Sequence, residues 1–167
     1  YINGELYPRK KASISVFDSG FLLGDGVWEG IRFLNGYMVF LKEHLERLYH
    51  GAEKLAIDIG YTKEELTGLI QRALDANNMK TGVHIRLIVS RGLKKTPYQH
   101  PNANVGGSSI VIIPEYKEAD EKVNEEGIRL ITVNTRRGTS DSQDPRLNTL
   151  SKLNCINACI EADRAGV

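Results

Sequence analysis

Between Val27 and Leu34 apolar and polar residues alternate, with Val27, Glu29 and Ile31 on one side and Trp28 on the other. That two-residue period predicts a strand. The turn Gly24-Asp25-Gly26 precedes it, and Asn35-Gly36 predicts a hairpin into YMVFL. The N-terminal YINGEL carries the same Asn-Gly signal, and Ile14, Val16 and Phe17 continue a β pattern until Asp18-Ser19-Gly20 breaks it. From Lys42 the period lengthens. Leu45, Leu48, Ala52 and Leu55 recur at three and four residues and predict an amphipathic helix ending before Ile59-Gly60. Thr62, with Glu65 three residues on, forms a capping-box signature for a second helix. Its expected buried face is Leu66, Leu69, Ile70, Ala73 and Leu74, and it stops at Asn77-Asn78.

Further along, HIRLIVSRG predicts a strand that is apolar on both faces apart from Arg86. A Pro-, Asn- and Gly-containing loop follows, and then the strand SIVIIPEY. Lys117–Gly127 is polar and lacks apolar periodicity, as a linker would. Beyond it IRLITVN predicts a strand, RRGTSDSQDPRLN a loop, and Leu150 onward a helix burying Leu150, Leu153, Ile156, Asn157 or Ala158, and Ile160. Strands and helices alternate without a βαβ rhythm, so the fold class is α+β. The division expected is a small N-terminal domain over residues 1–119, a linker over 120–127, and a second region over 128–167. One strand and one helix cannot bury their apolar faces alone, so that second region is expected to be the opening of a larger domain.

Composition narrows the function classes. Of the 167 residues 41% are hydrophobic and 26% charged, ordinary for a soluble domain. A formal net charge of +1, with no basic cluster, argues against a nucleic-acid partner. No apolar run approaches the roughly 20 residues of a membrane span. The opening YINGELYPRKK does not resemble a secretory signal. Cys155 and Cys159, four apart in one helical pattern, are expected to be buried free thiols, and a cytoplasmic location is expected with them.

Three cations attract attention as chemistry. Arg47 and Lys152, taken alone, read as solvated helix residues. Arg86 is less ordinary, because a charge inside an apolar strand calls for either a bound carboxylate or an internal ion pair. There is no zinc-ligand spacing and no phosphate-binding Walker loop. Gly24-Asp25-Gly26 lacks the third glycine of a dinucleotide fingerprint, and no Gly-x-Ser-x-Gly elbow occurs.

The order SVFDSGFLLGDGVWEGIRFLNG, then LKEHLERL, then a strand with an arginine, then a lysine at a helix start, resembles the fold-type IV pyridoxal-phosphate enzymes. These include branched-chain and D-amino-acid aminotransferases and aminodeoxychorismate lyase. The match covers nearly the whole chain and is strongest from Val16 to Leu48. It implies a small N-terminal α/β sandwich domain of the D-amino-acid aminotransferase-like fold, followed by the start of an incomplete larger C-terminal domain. Arg47 in EHLERL matches the arginine that holds the cofactor phosphate, a role suited to the planar fork of a guanidinium. Trp28 falls where the family places an aromatic lining the substrate pocket, and Arg32 lies in the same strand. Arg86 in HIRL matches an arginine of substrate-carboxylate recognition, with His84 where the branched-chain enzymes carry tyrosine.

The resemblance further implies pyridoxal 5'-phosphate as cofactor, an amino acid and a 2-oxo acid as substrates, and a homodimer. A lyase acting on an aminodeoxychorismate-like substrate is the related alternative. The family's Schiff-base lysine lies about 13 or 14 residues before a Glu-Ala pair, and counting 13 back from Glu161 gives Asn148. Lys152, one helical turn later, is the nearest lysine and the expected catalytic and cofactor-binding residue. In the other reading Asn148 replaces the lysine, and the protein binds cofactor or metabolite without transaminating. Family members continue well past this length, and their second half supplies the carboxylate facing the pyridine nitrogen. The 167 residues by themselves are therefore expected not to hold the cofactor tightly.

Overall fold

The computed structural model describes residues 1–118 and 120–167. The expected domain limit at Ala119 lies outside them. The chain divides into two units, one comprising Tyr1–Lys117 with Asn148–Ser151, the other Glu118–Leu147 with Lys152–Val167.

The first unit is built on an antiparallel sheet. Strand β1 (Gly26–Leu34) turns through Asn35-Gly36, both at positive φ, into the two-residue β2 (Tyr37–Met38). Strands β3 (Val83–Ser90) and β4 (Ser109–Tyr116) complete the order β2-β1-β3-β4. Helices α2 (Leu41–Lys54) and α3 (Lys63–Ala76) follow β2, and a short helix α1 (Ser19–Leu23) precedes β1. The Thr62–Glu65 capping box opens α3 as its sequence predicts, with both reciprocal hydrogen bonds present.

One face of the sheet makes the core. Val27, Ile31 and Phe33 of β1 and Val83, Ile85, Leu87 and Val89 of β3 are buried with Leu45, Leu48 and Ala52 of α2 and Leu66, Ile70, Ala73 and Leu74 of α3. Each fully buried Leu or Ile contributes roughly 1.5–3 kcal/mol relative to exposure. Period-two geometry then sends the residues between them to the other face. Trp28 stands opposite Ile88, Gly30 opposite Arg86, and Arg32 opposite His84. Arg86 is exposed, which corrects the expectation of a strand buried on both faces around a buried arginine.

A third element joins the free edge of β1. Thr149 bridges Val27, the Leu150 amide donates to the Gly26 carbonyl, and the Trp28 amide donates to the Asn148 carbonyl. Close approach explains Gly26, where a Cβ would lie 2.4 Å from the Val89 carbonyl oxygen and 2.7 Å from Leu150 Cδ1. Residues 148–150 thus pair with β1 rather than open a helix, and Leu150 packs in the first unit instead of heading a helix.

The second unit carries α4 (Glu121–Glu126) and α5 (Leu153–Arg164). The segment read as a linker includes α4, capped by Asp120. Residues 128–134 form no strand, because a strand is made by its ladder and none pairs with them among the described residues. Glu161 instead gathers this segment, accepting from the Asn134 and Thr135 amides and the Thr135 hydroxyl. No residue of α5 is buried, so Leu153, Ile156 and Ile160 do not form the expected internal face. Cys155 and Cys159 are free, as read, but exposed rather than buried. Near the N-terminus the hairpin reduces to one bridge, Ile2 to Glu5, and Ile14, Val16 and Phe17 are exposed outside any strand.

Candidate active site

Two groups of side chains flank β1 in the first unit. On the helix side, Glu29 shares the buried register of Val27 and Ile31 and has no exposed side-chain surface. A buried carboxylate needs partners, and α2 supplies two from one face. Arg47 donates from Nε to Oε1 and from Nη2 to Oε2, each at 2.7 Å, and His44 Nδ1 lies 2.7 Å from Oε2. Hydrogen bonding to Glu29 holds the Arg47 guanidinium above its ordinary proton affinity. The arginine nevertheless keeps 52% of its side chain exposed.

On the opposite face Arg86 stacks on Trp28, with its guanidinium carbon 4.1 Å from the ring centroid. Such an exposed contact is worth about 0.5–1 kcal/mol. Arg32 Nη1 donates to the Lys117 carbonyl at 2.6 Å. The imidazole of His84 lies over Gly30, so close that a Cβ there would meet Nε2 at 2.9 Å. Burial, then Arg86, Lys117 and Arg32, push the His84 pKa below its ordinary value, with Glu115 opposing. The face is cationic, partly apolar and suited to a carboxylate beside an aromatic ring.

Asn148 belongs to the same edge, and its Nδ2 donates to the Trp28 carbonyl at 2.7 Å. Among the described residues no edge strand covers Glu29–Ile31, between the 148–150 pairing and β2. Trp28, Arg32 and Arg86 therefore share one face, whereas Arg47 reaches the strand from the other side. Lys152 is the N-cap residue of α5 and belongs to the second unit. Among the described residues no group of three His, Cys, Asp or Glu side chains converges as a metal site. No helix among them is long and apolar enough to cross a membrane.

The pattern of the family described as amino-transferase class IV matches residues 26–167. The chain belongs to the class IV aminotransferase family. A putative branched-chain-amino-acid aminotransferase of Methanocaldococcus jannaschii is 40% identical over 167 residues, which are 100% of this chain and 56% of that protein. The branched-chain aminotransferase of the thermophilic archaeon Thermoproteus uzoniensis, solved with norvaline, superposes with a TM-score of 0.83 at 27% identity, covering 99% of this chain and 56% of that one. The 4-amino-4-deoxychorismate lyase of Pseudomonas aeruginosa gives 0.76 at 25% identity, over 96% and 56%. The class IV chain thus spans about half the length of the relatives it matches. Its α+β first unit is the fold those structures share.

Sequence reasoning did not single out Glu29 and His44. A signal existed. Glu29 breaks the apolar register of Val27 and Ile31, and His44 and Arg47 are three apart on one helical face. A carboxylate in a core register facing two basic side chains at that spacing predicts an ion pair. The pairing of Asn148 with Trp28 had no such signal, because 120 residues separate the two.

Proposed function

We propose that this class IV chain takes part in pyridoxal-phosphate-dependent transfer of an amino group between a branched-chain-like amino acid and a 2-oxo acid. The carrying observation is the 40% identity over all 167 residues to the Methanocaldococcus jannaschii relative, which is named a putative branched-chain-amino-acid aminotransferase. In this reading Arg47 holds the cofactor phosphate and Lys152 supplies the amine that joins the cofactor. Trp28, Arg32 and Arg86 receive the substrate.

The residues present fit the phosphate. Glu29 uses two of the five N–H groups of Arg47, and an arginine exposed over half its side chain offers the other three to a second anion. When bound, the cofactor supplies an electron sink that lowers the cost of removing a proton beside the amine. The chain's own contribution is electrostatic and positional. Arg86, held on the Trp28 ring, offers a guanidinium to a substrate carboxylate, and the indole gives an apolar wall to its side chain. The protein is further proposed to act in the cytoplasm as a homodimer, without nucleic-acid or membrane partners.

Two other readings have specific support. The lyase likeness favours an aminodeoxychorismate-like substrate, and the two enzymes differ in whether added 2-oxo acid is needed for turnover. The bond from Asn148 to the Trp28 carbonyl favours a lysine-deficient homologue that binds without transaminating, since it holds an amide on the face bearing Arg86. Borohydride reduction in the presence of pyridoxal phosphate, on the product of the complete reading frame, separates these. A pyridoxyl group mapped to Lys152 supports the aminotransferase. Its absence from every lysine removes covalent catalysis and leaves the binding reading.

A further inference from the structure

The carboxylate of Glu29 lies in the core register of β1, where an apolar side chain would have satisfied the packing, and it is wholly buried. Such a charge is a poor source of stability, because its desolvation offsets most of what its partners return. The geometry around it has a direction. Glu29 takes Arg47 by the Nε–Nη2 edge, two parallel bonds of 2.7 Å that fix the guanidinium plane. His44 Nδ1, at 2.7 Å from Oε2, fixes the carboxylate in turn. Both Nη1 hydrogens and one on Nη2 point away from that grip, on a side chain that is 52% exposed.

We propose that Glu29 is a positioning residue: gripping one edge of Arg47, it presents the other edge to a phosphate monoester and so gives the protein its preference for the phosphorylated cofactor. This rests on the reading of Arg47 as the phosphate holder. Two effects of Glu29 oppose each other. Its negative charge weakens the attraction between Arg47 and any anion, whereas its grip removes the rotamer freedom a long side chain must otherwise lose on binding. The doubly bonded fork makes the second effect prevail.

The opposition makes the proposal testable. On the product of the complete reading frame, affinities for pyridoxal phosphate and for pyridoxal are measured by absorbance titration for the wild type, Glu29→Gln, Glu29→Asp and Arg47→Ala. Thermal melts confirm that each is folded. The expected result is that both Glu29 variants lose preference for the phosphorylated form by about tenfold or more, the scale of one charge-assisted hydrogen bond. Affinity for pyridoxal stays unchanged. A merely structural role would lower both affinities together. Unchanged or increased preference in Glu29→Gln overturns the proposal, since Glu29 then only balances charge, and Arg47→Ala still losing the preference would leave the phosphate reading intact. If Arg47→Ala keeps the wild-type preference, that reading falls and the proposal with it. Glu29→Asp keeps the charge but shortens the grip, so it carries the test if the Gln variant does not fold. Failure of both to fold makes Glu29 structural and also overturns the proposal.

Discussion

Asn148 and Trp28 are joined by two hydrogen bonds, the Trp28 amide to the Asn148 carbonyl at 3.0 Å and the Asn148 amide group to the Trp28 carbonyl at 2.7 Å. With Thr149 bridging Val27, residue 148 stands opposite Trp28 in the sheet and on its face. The chemistry available at position 148 is therefore chemistry beside Trp28 and Arg86.

Replacing that amide by an amine tests the position directly. If position 148 is where the cofactor-joining amine belongs, borohydride reduction of Asn148→Lys with pyridoxal phosphate fixes a pyridoxyl group on residue 148, whereas Lys152 in that role keeps the label on residue 152; peptide mapping tells the two apart. If the variant folds and the label never appears there, position 148 does not face the cofactor. Asn148→Ala removes only the side-chain bond and is expected to cost about 1 kcal/mol in urea unfolding.

Trp28 is the only tryptophan of these 167 residues, so in this chain its emission reports on this face. Arg86→Ala removes the guanidinium stacked 4.1 Å from the ring and should shift the emission without unfolding the protein. A 2-oxo acid titrated into the wild type should change the emission saturably, and the same titration into Arg86→Ala should not. Equal responses in the two proteins would take Arg86 out of carboxylate recognition.

His84 gives the face a pH dependence. Burial first, and then the charges of Arg86, Lys117 and Arg32, hold it below its ordinary 6.5. A base depressed in this way is protonated more readily in the unfolded chain, so the unfolded state gains protons first as pH falls. Its contribution to stability is therefore intact above 6.5 and declines as pH drops from 6.5 through the folded midpoint. Histidine NMR should find that midpoint below 6.5, and Arg86→Gln should raise it. A midpoint unmoved by Arg86→Gln would mean the two charges do not sense each other.

Gly30 makes room for the His84 ring. In Gly30→Ala the new methyl would meet Nε2 at 2.9 Å, so the ring's far end must swing away into solvent. With less burial the histidine midpoint should rise, while overpacking costs about 1–3 kcal/mol. A midpoint equal to that of the wild type would show that the ring already lies clear of Gly30.

Much of the first unit was legible in the chain. The alternation from Val27 to Leu34, the Asn35-Gly36 turn and the Thr62–Glu65 box are local signals, and β1, β2, α2 and α3 follow them. Local pattern failed where pairing decides. IRLITVN reads as a strand, yet residues 128–134 have no ladder among the described residues, while residues 148–150, read partly as helix, pair with β1.

The site divides along the same line. Arg47, Trp28, Arg32 and Arg86 stand out in the sequence because their residue types and flanking motifs resemble a family's. What they do to one another was decided by the fold. Glu29 occupies a core position, and only the packing of α2 on β1 turns it into a grip on Arg47 and His44. Arg86 reads as buried from its apolar neighbours, but the sheet covers one face and leaves this arginine on the other, against Trp28. Asn148 reaches Trp28 across 120 residues of chain. Periodicity fixes which side of a strand a residue takes, because it depends only on backbone geometry. Which side is covered, and by what, depends on elements far along the chain, and only the tertiary structure brings those together.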